Sequence, residues 1–349
     1  MSDDNFLIYG ANGYTGELIT RRAASLGLKP VIAGRNGEQI QELASALGFT
    51  FLVFDLSEDD EIRRNIAPFK LVLHCAGPFS KTARPMIKAC LEVKAHYLDI
   101  TGEIEIFEYC ASKDKKAHEA GIILMPGVGF DVVPTDCLAA HLASLLPEAS
   151  HLELAFKGSG SISKGTALTM LENAYKGGAI RQNSTIISVP AAYESKTIRL
   201  EEKEISITTI PWGDVSTAYY STGIPNIKVY TAVKPEGIKW MKIMNSLGWL
   251  IKLPVIRNYF RRKVSKIKGP SEDLRNSGKS IIWGRVFNEE QQFEAMLTTP
   301  EGYHLTALTA ISIVQKLLID HIFSGYKTPS MAFGPNFILE IENTNRTNL

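Results

Sequence analysis

The 349-residue chain has only four cysteines, Cys75, Cys90, Cys110 and Cys137. None forms a C-x-x-C pair or shows metal-ligand spacing. This argues against a cysteine-bound metal and for free thiols in a reducing cytoplasm. Neither sign of charge is in excess: 38 Lys and Arg face 37 Asp and Glu, for a net charge of +1. Such a balance supplies no global field for nucleic acid. No uninterrupted apolar run reaches the ~18 residues of a spanning helix. Met1-Ser2-Asp3-Asp4-Asn5 is polar and acidic, unlike a signal peptide. No internal repeat stands out. What is left is an ordinary globular balance, 45% hydrophobic and 21% charged, long enough for two domains.

The most informative segment is near the start. The apolar run Phe6-Leu7-Ile8-Tyr9 leads into Gly10-Ala11-Asn12-Gly13-Tyr14-Thr15-Gly16, and a helical pattern follows through Leu18, Ile19, Ala23 and Leu26. Strand, glycine turn and helix form the phosphate-binding unit of a dinucleotide fold. Gly10 allows a sharp turn, Gly13 a close approach to pyrophosphate, and Gly16 close packing of helix on strand. Amides at the helix start, aided by its dipole, would hold the anion. The spacing is Gly-x-x-Gly-x-x-Gly rather than the commoner Gly-x-Gly-x-x-Gly.

Short apolar strands then alternate with helices to about residue 125. Strands are expected at 30–33, 49–54, 71–74, 97–100 and 122–125, with helices at 38–47, 86–93 and 103–120. That alternation predicts an α/β fold, a doubly wound parallel Rossmann sheet. Ligands of such sheets lie beyond the carboxyl ends of the strands. Arg35, at the end of the second strand, stands where an acid would bind the ribose of NAD, and suits the 2′-phosphate of NADP; Asn36 can add a donor. The reading therefore favours NADP(H) over NAD(H). Asp55 fits either an adenine contact or, with Ser57, a helix cap. Cys75, Ala76, Gly77 and Pro78 form a small-residue turn where ribose and pyrophosphate would pass. His74 reads as a packed histidine, and Cys75 as a buried small hydrophobe.

Taken with Ala33-Gly34-Arg35, 97–103 (Tyr-Leu-Asp-Ile-Thr-Gly-Glu) and 129–136 (Gly-Phe-Asp-Val-Val-Pro-Thr-Asp), these motifs resemble the saccharopine dehydrogenase-like oxidoreductases. Within them the chain is most similar to the branch containing trans-acting enoyl reductases of lipid biosynthesis. The resemblance covers roughly the first 140 residues and continues more weakly at Lys164-Gly165-Thr166 and Thr328-Pro329-Ser330. It implies a nucleotide domain, then a mixed α/β domain that helps form the substrate cleft, with the end of the chain returning to the first domain. The apolar helix expected at 306–323 suits a buried place at the junction.

A nicotinamide would lie near the ends of the fourth and fifth strands, which brings Tyr97, Asp99 and Glu103 close to the reaction. Hydride addition leaves negative charge that needs a proton or a donor. Tyr97 fits a phenolic donor or an ordinary core aromatic; Asp99 fits an orienting carboxylate. Glu103 reads as an acid at a helix start. Asp131, in the turn after the sixth strand, is a candidate site contact, whereas Asp136 fits a first-turn helix residue. The candidate catalytic set is thus Tyr97, Asp99 and Asp131, with no metal site.

The expected division is a Rossmann domain over 1–135, a substrate or dimerisation domain over 136–300, and a stretch 301–349 packing back on the first. Ser163, Lys164 and Thr166 fit a ligand loop or a helix cap. The segment 239–268 has nine basic residues and no acid, interleaved with Trp240, Ile243, Leu247, Trp249, Tyr259 and Phe260. It suits a helix lying in a membrane interface, or an amphipathic lid or homodimer contact with a solvated basic face. The polar tail from Glu342 is expected to fray. The whole reads as an NADP(H)-dependent oxidoreductase acting on a small or lipid-like substrate. The alternatives are a non-catalytic nucleotide sensor and a membrane-surface protein built on a Rossmann fold.

Overall fold

The computed structural model describes residues 5–158, 162–173, 177–200, 203–247, 259–260, 262–264, 266–267, 269–319 and 323–349. By compactness the chain forms two units: Met1–Val133 with Tyr303–Ala332, and Pro134–Gly302 with Phe333–Leu349.

The first unit begins with β1 (Phe6–Tyr9), α1 (Tyr14–Ser25), β2 (Val31–Gly34), α2 (Gly37–Leu47), β3 (Phe51–Val53) and α3 (Asp59–Ile66). There follow β4 (Leu71–His74), α4 (Phe79–Val93), β5 (His96–Asp99), α5 (Ile104–Ala111), α6 (Asp114–Ala120) and β6 (Ile123–Met125). Strands β1, β4, β5 and β6 are buried at every position. That is why they read as continuous apolar runs instead of alternating ones. Asn36 starts α2 by accepting from the Gln39 amide at 3.3 Å, and Gly48 ends it in the left-handed region at φ +69°.

Two helices differ from expectation. The helix placed at 86–93 starts at Phe79 and runs through Pro85. Proline removes one backbone bond, but the first turn is held by an acceptor from elsewhere in the fold, described below. The single helix expected over 103–120 is two, separated at Ser112 and Lys113. The apolar spacing Ile106, Phe107, Cys110 lapses at that point. Asp114 accepts from the Tyr326 amide at 2.8 Å.

The second unit contains α7 (Val133–Leu145), β7 (His151–Lys157), α8 (Lys164–Asn173), β8 (Gly178–Gln182), β9 (Thr185–Val189), β10 (Ser195–Leu200), β11 (Lys203–Thr209) and α9 (Asp214–Thr222). It continues with β12 (Asn226–Ala232), α10 (Pro235–Leu247), α11 (Glu272–Ser277), β13 (Lys279–Phe287) and β14 (Gln292–Pro300). The chain then re-enters the first unit with α12 (Gly302–Ile319), β15 (Gly325–Tyr326) and α13 (Pro329–Phe333), and ends in β16 (Asn345–Asn348).

The seven strands of the first sheet run β15-β6-β5-β4-β1-β2-β3, all parallel. The mixed sheet of the second unit runs β10-β11-β12-β7-β13-β14-β16, with β8 and β9 attached at β12. On its β7, Glu153 is buried and held by Lys196 at 2.5 Å and Arg285 at 2.9 Å. The tail does not fray: β16 pairs antiparallel with β14, and Arg346 bonds the Pro335 carbonyl and Asn336. Backbone pairing needs no apolar side chains, so the polar sequence gave no sign of it. Of the C-terminal stretch 301–349, Tyr303–Ala332 groups with the first unit and Phe333–Leu349 with the second.

Helix α12 is long and apolar enough to cross a membrane by composition, but half of it is buried in the fold, as in a core helix. Residues 320–322 of its expected span lie outside the described residues, as do 159–161 of the polar glycine loop. Ser163 of that loop is buried and accepts from the Thr166 amide at the start of α8. Of the segment 239–268, residues 248–258, 261, 265 and 268 lie outside the described residues.

Candidate functional site

All strands of the first sheet point the same way, so their carboxyl-end loops share one edge. The strand order reverses at β1, flanked by β2 and β4, and ligands of such sheets bind at that reversal. Here two loops meet. Gly10 has φ +82°, and a Cβ on it would come within 2.7 Å of the Ala76 amide. A Cβ at Gly16 would collide with the Gly10 carbonyl and the Ala11 Cα. Both positions therefore require glycine. The Gly10 and Ala11 amides bond the Ala33 carbonyl, and the Gly13 amide bonds the Gly10 carbonyl at 3.0 Å. These bonds shape the turn ahead of α1. Gly13 precedes α1 without any side-chain cap and is exposed. A cap-free helix start at the switch point fits a diphosphate.

The flanking residues are placed as follows. Asn12 donates to Gln39 at 2.8 Å, joining the loop after β1 to α2. Tyr14 meets Tyr303 edge-on, with ring centroids 5.1 Å apart. Arg35 and Asp55 are exposed at the ends of β2 and β3. Burial and the Asp55 charge push the Tyr9 hydroxyl up to about 12, with Arg35 acting the other way. Tyr9 itself donates to the Phe54 carbonyl at 3.1 Å. Asp55 is not the cap of α3, which starts four residues later after Glu58. Asn36 has its Oδ1 committed to α2, so any phosphate contact falls to its Nδ2.

Cys75 is buried and its amide bonds the Tyr9 carbonyl at 2.7 Å. Burial pushes its thiol, and those of Cys90, Cys110 and Cys137, above the ordinary range. None is a thiolate nucleophile at neutral pH. Ala76, Gly77 and Pro78 stay at the surface of the turn. His74 packs among Tyr9, Phe79 and Tyr97, and burial lowers it to about 4, so it is neutral.

Tyr97 and Asp99 lie inside the fold at the end of β5. Both are fully buried. The Tyr97 hydroxyl donates to Asp99 Oδ2 at 2.7 Å, and Asp99 Oδ1 accepts from the Thr101 and Gly127 amides, each at 2.9 Å. The pair is a strut tying the end of β5 to the end of β6. Burial, which outweighs these bonds, raises Asp99 to about 7.

Glu103 does not cap its own helix. Its two carboxylate oxygens accept from the Phe79 and Ser80 amides, each at 2.9 Å, and so close the start of α4. This is the external acceptor that lets α4 begin seven residues before the expected Met86. One helix start is filled by a side chain of the protein, whereas that of α1 has no side-chain cap.

Asp131 remains as the acid at the sheet edge. Its carboxylate lies over Gly102, where a Cβ would stand 2.8 Å from Oδ2. Burial raises it to about 7, while the residue keeps partial exposure. Sequence reasoning missed the support for its loop. Thr306 on α12 accepts from the Phe130 amide at 3.0 Å, and Thr309 donates to the Val128 carbonyl at 2.8 Å. These partners lie more than 170 residues away, beyond any local pattern. Among the described residues no cluster of three or more His, Cys, Asp or Glu side chains is placed to hold a metal.

Residues 6–125 match the family model of the saccharopine dehydrogenase NADP binding domain. The chain is 34% identical over 149 residues to a probable mitochondrial saccharopine dehydrogenase-like oxidoreductase of Arabidopsis thaliana, covering 38% of this chain and 33% of the relative. It is 27% identical over 143 residues to a trans-acting enoyl reductase of Mycobacterium tuberculosis, covering 38% and 34%. The match thus spans about a third of these relatives' length. In fold, the chain is similar to apo saccharopine dehydrogenase (L-Glu forming) from Saccharomyces cerevisiae, with TM-score 0.67, 13% identity and 99% of both chains covered. It is also similar to homospermidine synthase from Legionella pneumophila in complex with NAD, with TM-score 0.64, 11% identity, and 99% of this chain and 92% of that one covered. The fold is therefore a Rossmann-type parallel sheet joined to a mixed-sheet unit, and the N-terminal resemblance to saccharopine dehydrogenase-like oxidoreductases holds.

Proposed function

We propose, on the premise of a saccharopine dehydrogenase-type NADP-binding domain at residues 6–125, that the chain is an NADP(H)-dependent oxidoreductase. Its reaction moves a hydride to or from a C=N, C=O or polarised C=C bond of a small or lipid-like substrate. One observation carries the reading: a glycine-lined, cap-free helix start at the reversal of a parallel sheet. Similarity to a trans-acting enoyl reductase supports the lipid-like alternative. Four buried free cysteines support a reducing compartment, which we take to be the cytoplasm.

The nicotinamide, when bound, supplies or accepts the hydride. The first-turn amides of α1 bind the diphosphate, and Arg35, with Asn36 beside it, binds the 2′-phosphate. Asp55 accepts from the adenine. Asp131, raised to about 7 by burial, is divided between its protonated and ionised forms at neutral pH. It can therefore hold a proton for the substrate atom that gains negative charge. Tyr97 and Asp99 act through position, fixing the loops that carry Thr101 and Gly127.

Fluorescence titration with NADPH and NADH tests the reading. NADPH is expected to bind the more tightly. Arg35→Asp should weaken NADPH about 10- to 100-fold, the worth of a hydrogen-bonded charge, and change NADH little. Equal loss for both would remove the phosphate contact, and no binding of either would remove the reading.

A further inference from the structure

Helix α10 of the second unit carries large apolar side chains on its exposed side. None of its residues is buried. Trp240, Ile243 and Leu247 lie at i, i+3 and i+7, on one face. Their exposures are 65%, 48% and 41%. The side turned away from this stripe is the half-buried one, with Ile238 and Met241 and, at its edge, the exposed Asn245. Asn245 accepts from the Ala191 amide at 2.8 Å and donates to the Ala191 carbonyl at 2.9 Å. Lys239 is exposed beside the apolar stripe, Lys242 is exposed further round the helix, and Glu236 is exposed one turn before Trp240 on the stripe's own face. Further along, Tyr259 and Phe260 are exposed at 55% and 40%, followed by Arg262 and Lys263. Three large apolar side chains in a row on water are costly unless something covers them.

Charge identifies the cover. The sequence from Lys239 to Lys268 carries nine basic and no acidic residues, while the whole chain is at +1. The rest of the chain is therefore net negative by eight. The basic excess falls in the same stretch of sequence as the exposed aromatic and aliphatic side chains, and its described members Lys239, Lys242, Arg262, Lys263 and Lys266 are exposed. An apolar stripe flanked by cations complements a surface that is anionic outside and hydrocarbon within. We infer that α10 is a peripheral docking helix that lays Trp240, Ile243 and Leu247 into an anionic lipid surface, with Lys239 and Lys242 at the headgroups. The inference is independent of the hydride-transfer reading.

The test is co-sedimentation of the full chain with vesicles of phosphatidylcholine alone or mixed with phosphatidylserine. Binding should be at least about tenfold stronger to the anionic vesicles and should fall at about 1 M salt, where screening leaves a Debye length near 3 Å. Substituting Trp240→Ser, Ile243→Ser and Leu247→Ser together should reduce vesicle binding about tenfold or more, as loss of buried apolar area requires. Thermal unfolding and NADPH titration should not change. Lys239→Glu with Lys242→Glu should weaken binding to anionic vesicles without touching the stripe. Equal binding to both vesicle types, binding to neither, or full retention by the serine variant would overturn the inference. So would wild-type dimers that the serine variant converts to monomers without vesicle binding, which would assign the stripe to a second copy of the chain.

Discussion

Asp99 stands at a strand end where position suggests chemistry, and every contact it makes is internal. From position alone, an acid at the end of a strand beside the nicotinamide invites a chemical role. Its surroundings give it three donors and no exposure. Burial raises it from 3.8 to about 7, which makes a stability prediction with a definite sign. Below pH 3.8 the carboxyl is protonated in both folded and unfolded chains. Between that pH and about 7 the unfolded chain ionises first, so stability falls as pH rises; above about 7 the loss is constant. Asp99→Asn keeps an oxygen for the Thr101 and Gly127 amides and does not titrate. Unfolding by urea from pH 4 to 8 should therefore shift the balance toward the variant by up to about 4 kcal/mol. A gap that stays constant with pH would show that Asp99 titrates normally. The glycines, by contrast, were legible in the sequence because each acts on its own neighbours: Gly10 and Gly16 have no room for a side chain. Glu103 was not legible, because its partners, Phe79 and Ser80, lie 24 and 23 residues earlier on a different helix.

At the scale of elements, the strands of the first sheet could be read because burial on both faces leaves short apolar runs. Helix ends were harder, since they depend on caps, and caps come from anywhere in the fold. Helix α4 is the clearest case. Without Glu103 its first amides lose both acceptors in a largely buried place. Glu103→Ala should cost about 2 kcal/mol, from the lost cap and the desolvated donors. Glu103→Gln, which keeps one acceptor oxygen, should cost about half of that. Denaturant midpoints of the two variants measure this. A cost below about 0.5 kcal/mol for Glu103→Ala would show that α4 closes its own first turn. The same dependence explains β16, whose polar sequence carries no strand pattern; the open edge of β14 supplies its partner.

For the molecule as a whole, the first unit is assembled from two distant stretches of chain. Gly127–Asp131 is supported from α12, and Tyr14 at the start of α1 meets Tyr303 at the start of α12. Binding of a dinucleotide should therefore slow amide exchange in 10–16, 76–80 and 127–131, and also in 303–309. Hydrogen exchange with and without NADPH measures it. Protection confined to the N-terminal stretches would mean that α12 plays no part in holding the cofactor.

The late arrival of α12 and β15 also sets an order of events on the ribosome. The first 133 residues emerge early, with the glycine loop and six of the seven strands, but the last edge strand and its long apolar helix are made only after Pro134–Gly302 of the second unit. Until then the nascent Rossmann half has β6 as an unpaired edge and the loop at Val128 without its threonine partners. Vectorial synthesis thus delays completion of the first unit until Tyr326 has been translated, and a product ending before it would carry the glycine motif without a completed fold around it.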